Sequence, residues 1–169
     1  MKPMQSNVAF IIKNIQSISG DCPGKKTLQK LVFLIEQKGI DLGCEYGLHF
    51  YGPYSAVLDA AASSLDEEGI ISFDYSGYSH RMSVNPDWDI KSEVSEDQEK
   101  TISDVLTRYK DWNPSKLELL TTAIYAYDNL QEKTRESVIG GVKKIKGSKY
   151  SQDEINNVIQ EFSYFNKEI

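Results

Sequence analysis

Three times before residue 66 the chain places apolar residues at the i, i+3, i+4, i+7 spacing that defines one face of a helix. The sets are Val8, Ile11, Ile12 and Ile15; Leu28, Leu31, Val32 and Ile35; and Leu58, Ala61, Ala62 and Leu65. Three stripes of this kind have to be buried against one another, which commits the first part of the chain to a helical core. The pattern then changes period. Ile71, Phe73 and Tyr75 alternate, Ser76-Gly77-Tyr78-Ser79 supplies turn residues, and Met82 and Val84 resume, as the two strands of a β-hairpin would.

Stop and start signals divide these elements. Ser19-Gly20 closes the first helix, Thr27 stands where an N-cap of the second would, and Gly39 ends it. Tyr46, Leu48 and Phe50 alternate with Gly47, His49 and Tyr51 in a short extended segment that Pro53 closes. Ser55 caps the third helix and Gly69 terminates it. A third helix followed at once by a hairpin resembles the recognition helix and wing of a winged helix. The usual short strand of that fold lies between the first two helices, whereas the extended segment here follows the second, so a variant is expected. Gly52-Pro53 reads as architectural: glycine permits an unusual backbone angle and proline fixes the next, together setting the entry of the third helix.

After Asn85-Pro86, residues Asp87 to Ser92 read as a linker, and four more helices follow. Ser95 with Gln98 forms a capping box before Ile102, Val105, Leu106 and Tyr109, and Asn113-Pro114 precedes Leu117, Leu120 and Ile124. Thr134 precedes Val138, Ile139, Val142 and Ile145 across the pair Gly140-Gly141, and Ser151 with Glu154 opens the stretch Ile155, Val158, Ile159 and Phe162. The expected fold class is α+β, mainly α. A winged-helix-like module over 1–86, three helices plus a β-hairpin, precedes a C-terminal helical bundle over 93–169, and at 169 residues the two are expected to form one compact unit.

Enzymatic chemistry finds little support. The chain lacks G-x-G-x-x-G, the P-loop pattern, G-x-S-x-G and H-E-x-x-H, so no catalytic residue and no cofactor is assigned. Cys22, Cys44, His49 and His80 show none of the short spacings of structural zinc motifs, and the cysteines read as reduced thiols. His49 stands among aromatic residues, where packing explains it more simply than proton transfer to a carboxylate such as Glu45 or Asp59. The apolar run Val8 to Ile12 is too short for a membrane span or a signal-peptide core, so a cytoplasmic protein is expected.

Net charge is −6, and the acid is concentrated: residues 55–92 carry two cations against seven acids. A DNA-reading third helix would offer Arg, Lys, Asn or Gln to base edges. Ser55 to Glu68 contains none of these and presents Asp59, Asp66, Glu67 and Glu68 instead. Cations for a duplex would have to come from Lys25, Lys26 and Lys30 with Arg81 on the wing. The other source is Lys143, Lys144, Lys146 and Lys149, lysines that a helix C-terminus also attracts through its dipole. Tyrosines are better placed. Tyr46, His49, Phe50, Tyr51 and Tyr54 lie close in sequence and Tyr75 and Tyr78 sit on the hairpin, rings that suit a protein interface or fill a core.

Leu28-Gln29-Lys30-Leu31, followed by the aromatic-Gly-Pro element Tyr51-Gly52-Pro53, resembles the Panacea domain of small bacterial and phage proteins. Tyr51 to Ser55 is more similar still to the uncharacterised YwgA-like relatives. The resemblance covers about residues 8–85 and, more loosely, Leu117 to Leu120 and Val142 to Tyr150. It implies a protein-binding role of antitoxin or proteolytic-adaptor type, with a toxin or a protease substrate as partner and no catalytic residues. The expected contact residues are Tyr46, His49, Tyr51, Tyr54, Asp59, Tyr75 and Tyr78. The alternative is a winged-helix transcriptional regulator, homodimeric through its C-terminal helices, that contacts DNA through Lys25, Lys26, Lys30 and Arg81.

Overall fold

A computed structural model describes residues 1–78 and 80–169. It is mainly helical, with two small two-stranded sheets. The elements are α1 (Pro3–Ser19), α2 (Lys25–Gln37), β1 (Gly47–His49), β2 (Gly52–Tyr54), α3 (Ala56–Glu67), β3 (Ile71–Asp74), β4 (Arg81–Val84), α4 (Glu96–Tyr109), α5 (Pro114–Asp128), α6 (Arg135–Lys146) and α7 (Gln152–Ile159), which runs into a 3₁₀ segment, Gln160–Phe165. Ser79, the last residue of the expected hairpin turn, lies outside the described residues.

The N-terminal compact unit comprises Met1–Gly47 and Tyr54–Trp112. All twelve residues of the three apolar stripes are buried in it. α1 packs on α3, α4 and β4, and α2 on α3 and α4. β3 and β4 pair antiparallel with Ile71 opposite Val84 and Phe73 opposite Met82. The strand missing between the first two helices is present as a single bridge: Gly24 pairs antiparallel with Arg81, and the Met82 amide donates to the Pro23 carbonyl at 2.8 Å. Extended backbone before α2 therefore continues the hairpin. The helix also starts one turn earlier than Thr27, capped by Gly24, whose missing side chain gives no capping signal.

A buried glutamine ties α2 to the start of α3. Gln29 accepts from the Ser55 amide at 2.8 Å and donates to the Ser55 carbonyl at 2.9 Å, so one side chain satisfies both backbone groups of the N-cap residue. The Ser55 hydroxyl in turn accepts from the Leu58 amide at 3.2 Å. Asp87–Ser92 forms no helix or strand, but Ile90 within it is buried, and α4 packs with α1 and α2. The chain thus divides at Trp112, after α4, rather than at the expected linker.

The second unit comprises Leu48–Pro53 and Asn113–Ile169. The caps Asn113, Thr134 and Ser151 each accept from the amide three residues on. α5 is its central helix and is buried nearly all round, including Glu118, Thr121 and Thr122. α6 runs unbroken through Gly140-Gly141, and the second glycine has a packing reason: a β-carbon there would stand 3.3 Å from that of Ala126 on α5. Pro53 lies within β2 rather than ending the extended segment, a position open to proline on the edge of a two-stranded sheet.

Candidate interaction site

The C-terminal unit is built around a buried carboxylate. Glu118 on α5 is fully shielded from solvent, and its Oε2 receives the Lys149 ammonium at 2.7 Å, the Lys146 ammonium at 3.1 Å and the Tyr150 hydroxyl at 2.7 Å. A carboxylate removed from water costs several kcal/mol unless it is paired and hydrogen-bonded, and these three groups supply that pairing. The hydrogen bond to Glu118 pushes the Lys149 ammonium above the ordinary lysine value. Burial, reinforced by Glu118, raises the Tyr150 phenol, which stays neutral and donates.

The same lysines hold the turn between β1 and β2. Lys146 Nζ donates to the Phe50 carbonyl at 2.7 Å, and Lys149 stands 6.0 Å from the Tyr51 ring centre. Gly52 follows with φ +94°, and its backbone lies so close to α5 that a β-carbon would come within 2.8 Å of the Thr122 hydroxyl. The turn is therefore fixed on three sides, yet its side chains face outward. Phe50 is 82% exposed, Tyr51 55% and Leu48 40%, with Phe50 and Tyr51 edge-to-face at 4.9 Å. Beside them a hollow of 340 Å³ is lined by Leu48, His49, Phe50, Ile145, Lys146 and Lys149.

The expected contact residues separate into two groups. His49 and Tyr51 belong to this turn in the C-terminal unit. In the N-terminal unit Tyr54 donates to Asp59 at 3.1 Å, Asp59 pairs with Lys25 at 3.8 Å, Lys25 stands 5.2 Å from the Phe73 ring centre, Phe73 stacks on Tyr75, and Tyr75 meets His80 edge-to-face. Burial, with Asp59 second, raises the Tyr54 phenol. Tyr78 is wholly exposed at the hairpin tip. Tyr46 instead faces inward, edge-to-face with Phe33 at 5.0 Å. Its phenol is raised first by burial and then by Cys44 and Glu36, and burial pushes the Cys44 thiol up to about 12.

The cations considered for DNA are largely committed elsewhere. Lys30 is 2% exposed and so out of reach of a phosphate, a correction to its reading as a nucleic-acid contact. Lys25 is paired with Asp59, and Lys26 is half-buried in the first turn of α2. Arg81 is paired with Asp21, whose carboxyl it holds below the usual range, and it also donates to the Cys22 carbonyl at 3.2 Å. Among the described residues no three His, Cys, Asp or Glu side chains stand together as a metal site would require, and no helix is long and apolar enough to cross a membrane.

Sequence reasoning missed Glu118 and Gln29. Glu118 sits one position after Leu117 and two before Leu120, where a stripe of three leucine-type positions assigns it to the solvent face. The lysines of α6 are visible in the sequence, but as dipole partners or as cations for a duplex. Lys146 turns inward and only Lys143 and Lys144 remain as exposed charges in the last turn.

No protein-family model matches the chain. It is similar to the uncharacterized protein YwgA of Bacillus subtilis (strain 168), with 23% identity over 153 residues that cover 88% of this chain and 90% of that protein.

Proposed function

We propose that the chain is a non-enzymatic protein-interaction module, of the antitoxin or adaptor type that the Panacea resemblance implies, and that the Leu48–Pro53 turn is its principal contact. One observation carries the reading. Phe50, Tyr51 and Leu48 hold their apolar surface in water on a turn that Lys146 and Gly52 keep fixed. Exposed aromatic side chains on a rigid support lose little conformational entropy on binding, and burying one Phe contributes about 1.5–3 kcal/mol. Such rings are typical anchors of protein interfaces.

The N-terminal aromatic strip of Tyr54, Phe73, Tyr75 and His80 offers a second contact in the same reading. The regulator alternative draws support from the Gly24–Arg81 bridge, which supplies the short strand of a winged helix. Against it stand the commitment of Lys25 and Arg81 to acidic neighbours and an α3 that carries no cation. Replacing Phe50 and Tyr51 by serine separates the two readings. Loss of a protein partner with unchanged melting supports the module, and unchanged partner binding rejects it.

A further inference from the structure

The hollow beside the turn holds more positive charge than its buried carboxylate neutralises. Lys146 and Lys149 direct two ammonium groups at one oxygen of Glu118, and the remaining partner of that oxygen, Tyr150, is a neutral donor. One positive charge is left in surplus. It is shared by Lys146, which is 6% exposed, and Lys149, which is 42% exposed and reachable from outside. The nearly buried Lys146 is screened much less than a lysine on an open surface, and it adds to what an incoming anion gains at the more exposed Lys149. Leu48, Phe50 and Ile145 give the same hollow an apolar wall, and His49 lies on its lining.

We propose that this hollow receives an acidic side chain of a protein partner together with an adjacent apolar one. The carboxylate meets Lys149, and the apolar neighbour packs against Leu48, Phe50 and Ile145. At 340 Å³ the space is at the small end of ligand-binding pockets and has room for one or two side chains. This proposal rests on the reading of the Leu48–Pro53 turn as a protein contact and specifies the chemistry of what is contacted.

The test is selection of a phage-displayed random peptide library on the intact chain, followed by affinity measurement of the enriched peptides. The expected consensus places Asp or Glu next to an aromatic or aliphatic residue. Its affinity falls about tenfold, or 1.4 kcal/mol, with Lys149→Gln, recovers in Lys149→Arg, and falls similarly when the peptide's acid is changed to its amide. Thermal unfolding of both variants confirms that they are folded. A consensus without an acid, or enriched peptides indifferent to Lys149→Gln, overturns the proposal. So does displacement of the peptide by inorganic phosphate at equal concentration, which would assign the hollow to free anions. Loss of the cellular partner on Phe50→Ser alongside failed peptide selection removes this inference and leaves the turn as the contact. Acid-dependent peptide binding with no cellular partner removes the functional reading instead.

Discussion

A β-carbon on Gly52 would stand 2.8 Å from the hydroxyl oxygen of Thr122, one turn along α5 from Glu118. With φ +94° the backbone at Gly52 is also outside the range that side chains favour. The turn bearing Phe50 is thereby pressed against the central helix of its own unit, which ties the exposed aromatic surface to the buried charge cluster.

Gly52→Ala is expected to lower stability by about 2–4 kcal/mol, combining the backbone penalty with overpacking against Thr122. Thr122→Gly carries its own cost in the middle of α5, but the double variant should lose less than the two single losses summed, because the overlap is gone and the backbone term alone remains at Gly52→Ala. Chemical denaturation of the two single variants and the pair measures the coupling. Strict additivity contradicts the contact. Thr122→Val alone should be neutral or stabilising, since the Thr122 hydroxyl is buried with no hydrogen-bond partner.

Gln29→Leu should destabilise the N-terminal unit by about 1–3 kcal/mol, because it leaves the buried amide of Ser55 unsatisfied and its carbonyl with the Asp59 amide alone. Gln29→Glu should cost at least as much at neutral pH, because its buried carboxylate sets an unpaired oxygen against the Ser55 carbonyl, and less at acid pH, where the protonated acid can donate there. A Gln29→Glu loss that does not change with pH would mean that packing, not the paired hydrogen bonds, sets the effect.

These residues also mark what the sequence does and does not display. The stripe Leu58, Ala61, Ala62 and Leu65 and the caps Ser55, Ser95, Asn113, Thr134 and Ser151 are all found where expected, because stripe and cap chemistry is settled within one or two turns. The Gln29–Ser55 pair joins the two short motifs behind the family resemblance, yet neither motif says that they touch. Two of the three partners of Glu118, Lys149 and Tyr150, lie 31 and 32 residues away and the third, Lys146, ends α6, and a carboxylate between leucines carries no local sign of burial. The Gly24–Arg81 bridge is one residue long and leaves no periodicity to read. Trp112 marks the division between units because α4 joins α1 and α2, a choice made by tertiary packing.

Lys149→Gln should reveal a pH-dependent contribution at alkaline pH. The folded-state value of Lys149 lies above the ordinary 10.5, so its stabilisation is complete below that pH and is lost as pH rises through the folded value. The variant's deficit in melting temperature, worth about 1 kcal/mol or less after screening of the half-exposed ammonium, should therefore shrink at the alkaline end. Tyr150, also raised, is lost in the same direction in both proteins. A deficit that stays constant as pH rises rules out the ion pair as its source.

Cys44 should be a poor nucleophile in the folded chain. Burial, then the Glu36 carboxylate, pushes its thiol up to about 12, and the thiolate is the reactive form. Alkylation by iodoacetamide at mildly alkaline pH, read by mass spectrometry, should be about a hundredfold or more slower in native protein than in urea. Comparable rates in the two conditions would place Cys44 in open solvent.

The proposed binding of a protein by the turn that carries Phe50 is tested by purification of the tagged chain from its own cells after nuclease treatment, beside Phe50→Ser, with the stoichiometry of each co-purifying protein determined. A near-equimolar protein is expected to survive nuclease with the wild type and to be lost with Phe50→Ser, while both chains melt at the same temperature. Equal recovery of that protein by both chains, or recovery of DNA in place of a protein before nuclease, would contradict it.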